Sequence, residues 1–422
     1  MALQKSKFSI DSLFNLFSVG AGGVLYILIN TIILQHYGEE TLGIFNLCYA
    51  IYIVLSQVAV FGIHLSVQMY VPSFFREREK VNAVMTSALL LSLLISVIVV
   101  ALSYPFTATA ADFFDSKAID AGLYYCLWGI IFFSINKVLL AYLNGVRKMK
   151  SFALFTFLRF LFMISVLCIL IFFYDDPSLI TLVFSLSELA LFLILLVYTL
   201  RYFHIKWDGF AFQFTKNHFI FGKSAFIGNL LLDINTRVDV IMLGYLATDR
   251  DVGIYSFVLA ISEGILQIPV VFRNNVNPII TKASVMKNVS TKLEKILQKN
   301  VRYFYKIIGG IALITIVLYP LGLYILGIKD YFMEYWILYA ILVMGIVISA
   351  GYLPFSMLFN QMKQPKIQSL LFFVLFLTNV IGNFVFINWI GIYGAAVGTA
   401  LSYIAMVFFI RTMARKYCDL RF

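Results

Sequence analysis

Seven charged side chains sit deep in apolar sequence and are the residues best placed to do chemistry: Lys137, Arg159, Glu188, Asp233, Arg237, Asp239 and Glu263. Asn229 and Asn235 accompany the later ones. An ionisable group near the centre of a bilayer costs at least about 2.5–3.5 kcal/mol, so each needs a partner, a wet cavity or a route to the interface. Arg237 follows Asp233 by four residues, which on a helix makes them neighbours on one face together with Asn229. Asn235 and Asp239 fall on nearly the opposite face. A span polar on both sides cannot turn either broad face to lipid, so it is expected to be enclosed and to line a cavity. Asp233 and Arg237 are then either a structural ion pair that fixes helix register or part of a transport path. Glu188 and Glu263 can be protonated in place, which suits a step linked to H+ or Na+ and equally a structural hydrogen bond to a neighbouring helix.

The elements that position these groups follow from composition. Hydrophobic residues make up 62% of the chain and charged residues 13%, against roughly 45–50% and 25% in a soluble domain. That balance cannot clothe a water-soluble surface. Apolar runs of about 20 residues, each able to cross roughly 30 Å of hydrocarbon, recur from end to end. They lie near 12–35, 43–65, 84–104, 119–144, 152–174, 178–200, 218–246, 252–273, 303–326, 334–358, 367–388 and 392–410. The predicted fold is an all-α polytopic membrane protein with about twelve transmembrane helices. The first run follows Lys5 and Lys7 but continues to Leu34, so it reads as a retained span and not a signal peptide.

The net charge of +11 would point to nucleic acid only if the basic residues shared a soluble face, and they sit instead in short connectors. Of the 32 Lys and Arg, 24 lie in the termini and one alternate set of connectors, while the opposite set holds only Lys117, Arg250 and Lys329. This asymmetry predicts both termini on the cytoplasmic side. Lys137, Arg159, Lys223, Arg237 and Lys306 fall within spans, and Lys306, near a span end, is expected to snorkel to the interface.

Other motifs carry little. Cys48, Cys126, Cys168 and Cys418 form neither a disulfide framework nor a metal spacing. His36, His64, His204 and His218 are scattered near span ends, so no metal or other cofactor is expected. Gly20-x-Gly22-Gly23 follows no strand and reads as a packing surface, and Gly394-x-x-x-Gly398 as a helix contact. Asp175-Asp176-Pro177 reads as a turn on the outer side.

A shift of 210 residues lays Gly43-Ile44-Phe45 on Gly253-Ile254-Tyr255, Ala50-Ile51 on Ala260-Ile261, and Gln57 on Gln267. Two copies of six spans share one orientation, which predicts two six-helix lobes related by a pseudo-twofold axis along the membrane normal, with a central cavity. The expected division is an N-terminal lobe at 1–205, a cytoplasmic connector at 206–217 and a C-terminal lobe at 218–422.

The stretch Asn235-Thr236-Arg237-Val238-Asp239-Val240-Ile241-Met242-Leu243-Gly244, followed by Val252-Gly253-Ile254-Tyr255-Ser256, resembles the central signature of the polysaccharide-export flippases. Tyr37-Gly38 to Gly43-Ile44-Phe45 resembles that family's first connector, and Gly391-Ile392-Tyr393-Gly394-Ala395-Ala396-Val397-Gly398-Thr399-Ala400 its last. The resemblance covers nearly the whole chain. It implies a bacterial inner-membrane protein of the multidrug/oligosaccharidyl-lipid/polysaccharide exporter superfamily, close to the Wzx-type O-antigen and capsule-repeat flippases. Such a protein is not an enzyme. It turns an undecaprenyl-diphosphate-linked oligosaccharide from the cytoplasmic to the outer leaflet by alternating access. The lipid II flippases of the superfamily carry two further spans and arginines in their first spans, and this chain has neither.

On that reading Arg237, Arg159 and Lys137 are candidates to attract the diphosphate headgroup, with Asn229 and Asn235 also lining the cavity. Snorkelling to the cytoplasmic face is the alternative for Lys137 and Arg159. Asp233, Asp239, Glu188 and Glu263 are candidates for ion coupling or for structural charge. The competing transport reading is a cation-coupled multidrug exporter of the same superfamily, which calls for a cavity dominated by carboxylates. A membrane polysaccharide polymerase or ligase needs a long outer loop, and the longest outer connector, about 105–118, is too short.

Overall fold

Backbone N–H and C=O groups within hydrocarbon must pair inside the chain, and long apolar runs achieve this as helices. The computed structural model describes residues 2–284, 290–328 and 332–421, with side chains placed except at 2–19, 225, 274–275, 278–279, 282–284, 290–293 and 296. Lys287 and Lys329 lie outside the described residues, as do the side chains of Lys5, Lys7, Lys282 and Lys292. Among the described residues the chain is helical, with no strand.

Among the described residues nine helices are long and apolar enough to cross a membrane, or ten if the pair Met333–Ser349 and Leu353–Gln361, bent by 59°, is one span. The sequence counts about twelve, and the difference arises in two places. The first two apolar runs form one helical stretch, Gly20–Val60, of 41 residues. At about 1.5 Å per residue that is roughly twice a bilayer's thickness, and it is kinked at Gly38, whose φ of +88° suits glycine. The run 218–246 is broken into Gly209–Asn235 and Val238–Leu246, and among the described residues it contributes only the short apolar helix Phe226–Asn235.

By packing, the helices fall into two compact units: Met1–Ile29 with Ile44–Asp233, and Asn30–Gly43 with Ile234–Phe422. In the first unit the principal helices after the kinked one are α2 (Ile63–Ser73), α3 (Arg78–Ser103), α4 (Gly129–Gly145), α5 (Met149–Phe173), α6 (Leu182–Thr199) and α7 (Gly209–Asn235). Its core joins Val67 and Val71 of α2, Val84 and Ala88 of α3, Val138 and Leu139 of α4, and Leu191 and Leu195 of α6. His218 ties three of the helices together. Its Nε2 lies 3.1 Å from the Val84 carbonyl, which can only accept, so Nδ1 accepts from the Ser66 hydroxyl at 2.5 Å.

The second unit contains α8 (Val238–Leu246), α9 (Asp249–Ser284), α10 (Ser290–Ile325), α11 (Trp336–Ser349), α12 (Pro365–Ile390) and α13 (Ile392–Tyr417). Small residues set its closest approaches. A Cβ on Gly382 would come within 3.0 Å of the Gly398 Cα, one on Gly394 would strike the Phe386 carbonyl, and one on Gly398 the Asn383 amide, so α12 and α13 pack backbone to backbone. Gly43 and Gly253, which the 210-residue shift aligns, meet each other in the same unit. A Cβ on Gly43 would run into the Asp249 carbonyl, and one on Gly253 into the carbonyl of Glu39, the residue that aligns with Asp249. The contact is therefore reciprocal, as two-fold related segments require. Arg250 closes it by donating to Glu39.

Candidate functional site

Gly129 begins the geometry of the first unit's charged site. With no side chain, it lets α4 approach α6 so closely that a Cβ would sit 3.0 Å from the Ser185 Cα, and its N–H donates to the Ser185 hydroxyl at 2.9 Å. Two turns along α4, Asn136 is thereby pressed against Glu188, donating from Nδ2 to its carboxylate at 2.8 Å and to its carbonyl at 2.9 Å. Arg159 of α5 completes the arrangement, with Nε 2.7 Å from Glu188 Oε1. The Glu188 side chain is 5% exposed and that of Arg159 19%, so this carboxylate is neutralised where water cannot do it. The Arg159 guanidinium also lies over the Phe133 ring at 4.9 Å.

Lys137, the next residue on α4, is held differently. Its ammonium donates to the Gln57 amide oxygen at 2.7 Å and lies 5.6 Å from the Phe133 ring centre. Its charge interacts with Asp233 through space, but it makes no ion pair among the described residues. Four residues beyond Gln57 the helix stops. Phe61 and Gly62 both take left-handed backbone conformations, φ +48° and +72°, and α2 resumes at Ile63 with no side-chain cap on its first turn. A phenylalanine in that conformation is strained and is pinned here by its contacts with Phe219 and Phe226, at 5.4 and 5.0 Å between ring centres. His64, in the first turn of α2, has a buried Nδ1 without a hydrogen-bond partner.

The second unit has its own polar site. The break between α7 and α8 falls at Thr236-Arg237, where Arg237 precedes α8 with φ −132°. Arg237 lies 3.9 Å from Glu263 of α9, both side chains being about a fifth to a quarter exposed, 18% and 27%. Asp239, in the first turn of α8, is buried and accepts from the Tyr255 hydroxyl at 2.6 Å, from Thr399 at 3.1 Å and from the N–H of Val240 at 2.9 Å. Asn383 donates to Asn379 at 3.2 Å, and Asn379 donates to the Asn235 carbonyl at 3.2 Å and its side-chain oxygen at 3.4 Å. A chain of amides thus links α12 to the end of α7.

The nine residues singled out from sequence divide between these sites. Lys137, Arg159, Glu188 and Asp233 come together in the first unit, where Asn229 also lies one turn before Asp233. Arg237, Asn235, Asp239 and Glu263 belong to the second. The break in the helix takes Arg237 out of the i, i+4 register that a continuous helix would have given it with Asp233. Sequence reasoning missed Gln57, His64, Asn136, Tyr255, Thr399, Asn379 and Asn383. Three of these left a signal: Asn379 and Asn383 are one turn apart inside an apolar run, and Asn136 adjoins Lys137. Among the described residues no group of His, Cys, Asp and Glu is arranged to hold a metal ion.

Solved structures share this architecture. The first is an inward-facing multidrug resistance transporter of the MATE family in the MOP superfamily, which matches with a TM-score of 0.75 at 15% identity, over 94% of this chain and 95% of its own. The lipid II flippase MurJ, in an inward closed conformation, matches with a TM-score of 0.75 at 16% identity, over 96% of this chain and 87% of its own. An outward-facing MATE transporter of the same superfamily matches with a TM-score of 0.69 at 15% identity, over 97% and 96%. These likenesses establish the two-lobed helical transporter fold. No curated protein matches the sequence. The family profile described as "Polysaccharide biosynthesis protein" matches residues 5–285, about two thirds of the chain including Lys137, Arg159, Glu188, Arg237 and Glu263, and the chain belongs to that family.

Proposed function

We propose that this protein is a flippase that carries a lipid-linked oligosaccharide from the cytoplasmic to the outer leaflet of a bacterial inner membrane by alternating access, and is not an enzyme. The cargo is an undecaprenyl-diphosphate-linked repeat unit for O-antigen, capsule or a related surface polysaccharide. Both termini are cytoplasmic, and the cycle is coupled to H+ or Na+. The observation that carries the reading is the family match to polysaccharide biosynthesis in a chain made of membrane-spanning helices. The solved lipid II flippase of the same fold supports it.

The MATE likeness favours a second reading, export of cationic drugs. Charge separates the two. Glu188 is answered by Arg159, Glu263 faces Arg237, and Asp239 is held by Tyr255 and Thr399. Among the described residues Lys137 has a neutral hydrogen-bond partner, Gln57, and Asp233 acts on it through space without an ion pair. A site whose cation is less committed than its carboxylates suits an anionic cargo, since a diphosphate leaving water needs basic groups to replace its hydration. Depleting the protein in its native host tests the choice. Lipid-linked repeat units should accumulate while surface polysaccharide falls. Unchanged polysaccharide with heightened sensitivity to cationic drugs would select the second reading.

A further inference from the structure

We infer that the segment Phe203-His204-Ile205-Lys206-Trp207, with Arg78 at the start of α3, is a docking site for an anionic phospholipid of the cytoplasmic leaflet. Arg78, His204 and Lys206 take the headgroup phosphate, while Ile205 and Trp207 enter the apolar layer beneath it. The inference rests on the proposed orientation for its leaflet and not on the flippase reading. Between α6 and α7 these five residues alternate apolar and basic and lie outside any helix. In an extended chain that alternation puts Phe203, Ile205 and Trp207 on one face and His204 and Lys206 on the other.

α3 holds the segment in this form. The His204 N–H donates to Asn82 Oδ1 at 2.9 Å, and the Lys206 N–H to the Thr86 hydroxyl at 3.0 Å. Two residues of extended chain advance about 6.6 Å and four residues of helix about 6 Å, so the two registers match. Phe203 anchors one end, buried with its ring centre 5.2 Å from that of Tyr142. Ile205 and Trp207 follow on the same face, each 55% exposed. A tryptophan beside basic residues suits the boundary between headgroups and chains.

The basic face is short of acceptors. Arg78 Nη2 lies 3.3 Å from His204 Nε2. A guanidinium can only donate, so Nε2 accepts and the proton of the neutral ring sits on Nδ1. Arg78, His204 and Lys206 are all exposed, and none makes an ion pair among the described residues. Two nearby carboxylates are engaged: Glu77 pairs with Lys80 at 2.6 Å, and Asp208 accepts from the Ala211 N–H at 2.9 Å. Glu79, exposed in the first turn of α3, opposes an incoming phosphate. A free anion would satisfy the basic face alone, whereas an anionic lipid satisfies both faces at once.

Full-length protein in mixed vesicles of phosphatidylcholine and phosphatidylglycerol tests the site, with one lipid or the other carrying brominated, quenching chains. The emission lost in Trp207→Phe isolates the signal of Trp207. Brominated phosphatidylglycerol should quench it more than brominated phosphatidylcholine at equal mole fraction. Arg78→Gln and Lys206→Gln should each lower that preference by up to about fivefold, the scale of one basic group near an anionic surface, and Glu79→Gln should raise it. Lys416→Gln, which removes an exposed cation in the last turn of α13, should leave it unchanged. Equal quenching by the two lipids in the wild type would overturn the inference. So would a preference that survives the combined Arg78→Gln and Lys206→Gln change, or one that Lys416→Gln lowers as much as Arg78→Gln. Loss of the preference to inorganic phosphate at constant ionic strength would assign the basic face to a free anion and overturn the lipid assignment. A protein that shows the preference yet moves no lipid-linked glycan would keep the lipid site and overturn the flippase reading alone.

Discussion

Glu188 shows what a buried charge requires. It receives Arg159 at 2.7 Å and Asn136 at 2.8 Å, so removing it leaves a guanidinium in apolar surroundings. Glu188→Ala should destabilise the protein by about 3–5 kcal/mol, the usual result of breaking a buried pair from one side. Replacing both partners, Glu188→Leu with Arg159→Met, should recover most of that loss. Thermal unfolding in detergent reads both. Arg237 and Glu263 are further apart at 3.9 Å and more exposed, so their pairing contributes less to stability. Arg237→Ala at normal abundance should therefore report on transport: reduced flipping assigns Arg237 a part in it, and full activity removes it. Sequence made the burial of these groups legible, because an ionisable residue in an apolar run stands out. It did not make their partners legible. Glu188 meets Asn136 through the close approach at Gly129, a property of two helices and of neither sequence segment alone.

At the scale of the elements, two interruptions matter most, and neither is marked by proline. Phe61–Gly62 lies inside an uninterrupted apolar run, and the left-handed pair there is held by Phe219 and Phe226 from a helix more than 150 residues away in sequence. Thr236-Arg237 interrupts a run that hydropathy reads as one span. Local composition is silent on both because the stabilising contacts are distant. The reciprocal crossing of Gly43 and Gly253 was partly legible, since the 210-residue shift aligns the two. Its tightness was not. Gly253→Ala would set a methyl against the Glu39 carbonyl and should cost about 1–3 kcal/mol, as overpacking does. Gly23→Ala, with nothing within 4 Å of the added carbon, should be neutral or slightly stabilising for a helical position. Comparing melting temperatures of the two variants checks the contact, and equal effects would refute it. Tyr255→Phe removes the shortest hydrogen bond to buried Asp239 and should lower stability by about 1–3 kcal/mol on the same measurement.

For the whole molecule, membrane class and all-helical architecture were legible because composition alone decides them, and the family motifs were legible as far as they ran. The number of spans was less so, since kinked and broken helices do not respect a hydropathy window. Orientation rests on the distribution of Lys and Arg, and cysteine labelling from outside should reach a cysteine at Asp175 and miss one at Lys287. The reverse pattern would invert every inner and outer assignment. The proposed function is the movement of a lipid-linked, diphosphate-bearing glycan between leaflets. Its most direct test is reconstitution into proteoliposomes with a fluorescent polyprenyl-diphosphate oligosaccharide, scored by a membrane-impermeant quencher. Vesicles containing the protein should quench well beyond the outer-leaflet fraction reached by protein-free vesicles, and the excess should shrink with Lys137→Gln. Quenching that stops at the outer-leaflet fraction, with protein shown to be folded in the same vesicles, would contradict the proposed flippase activity.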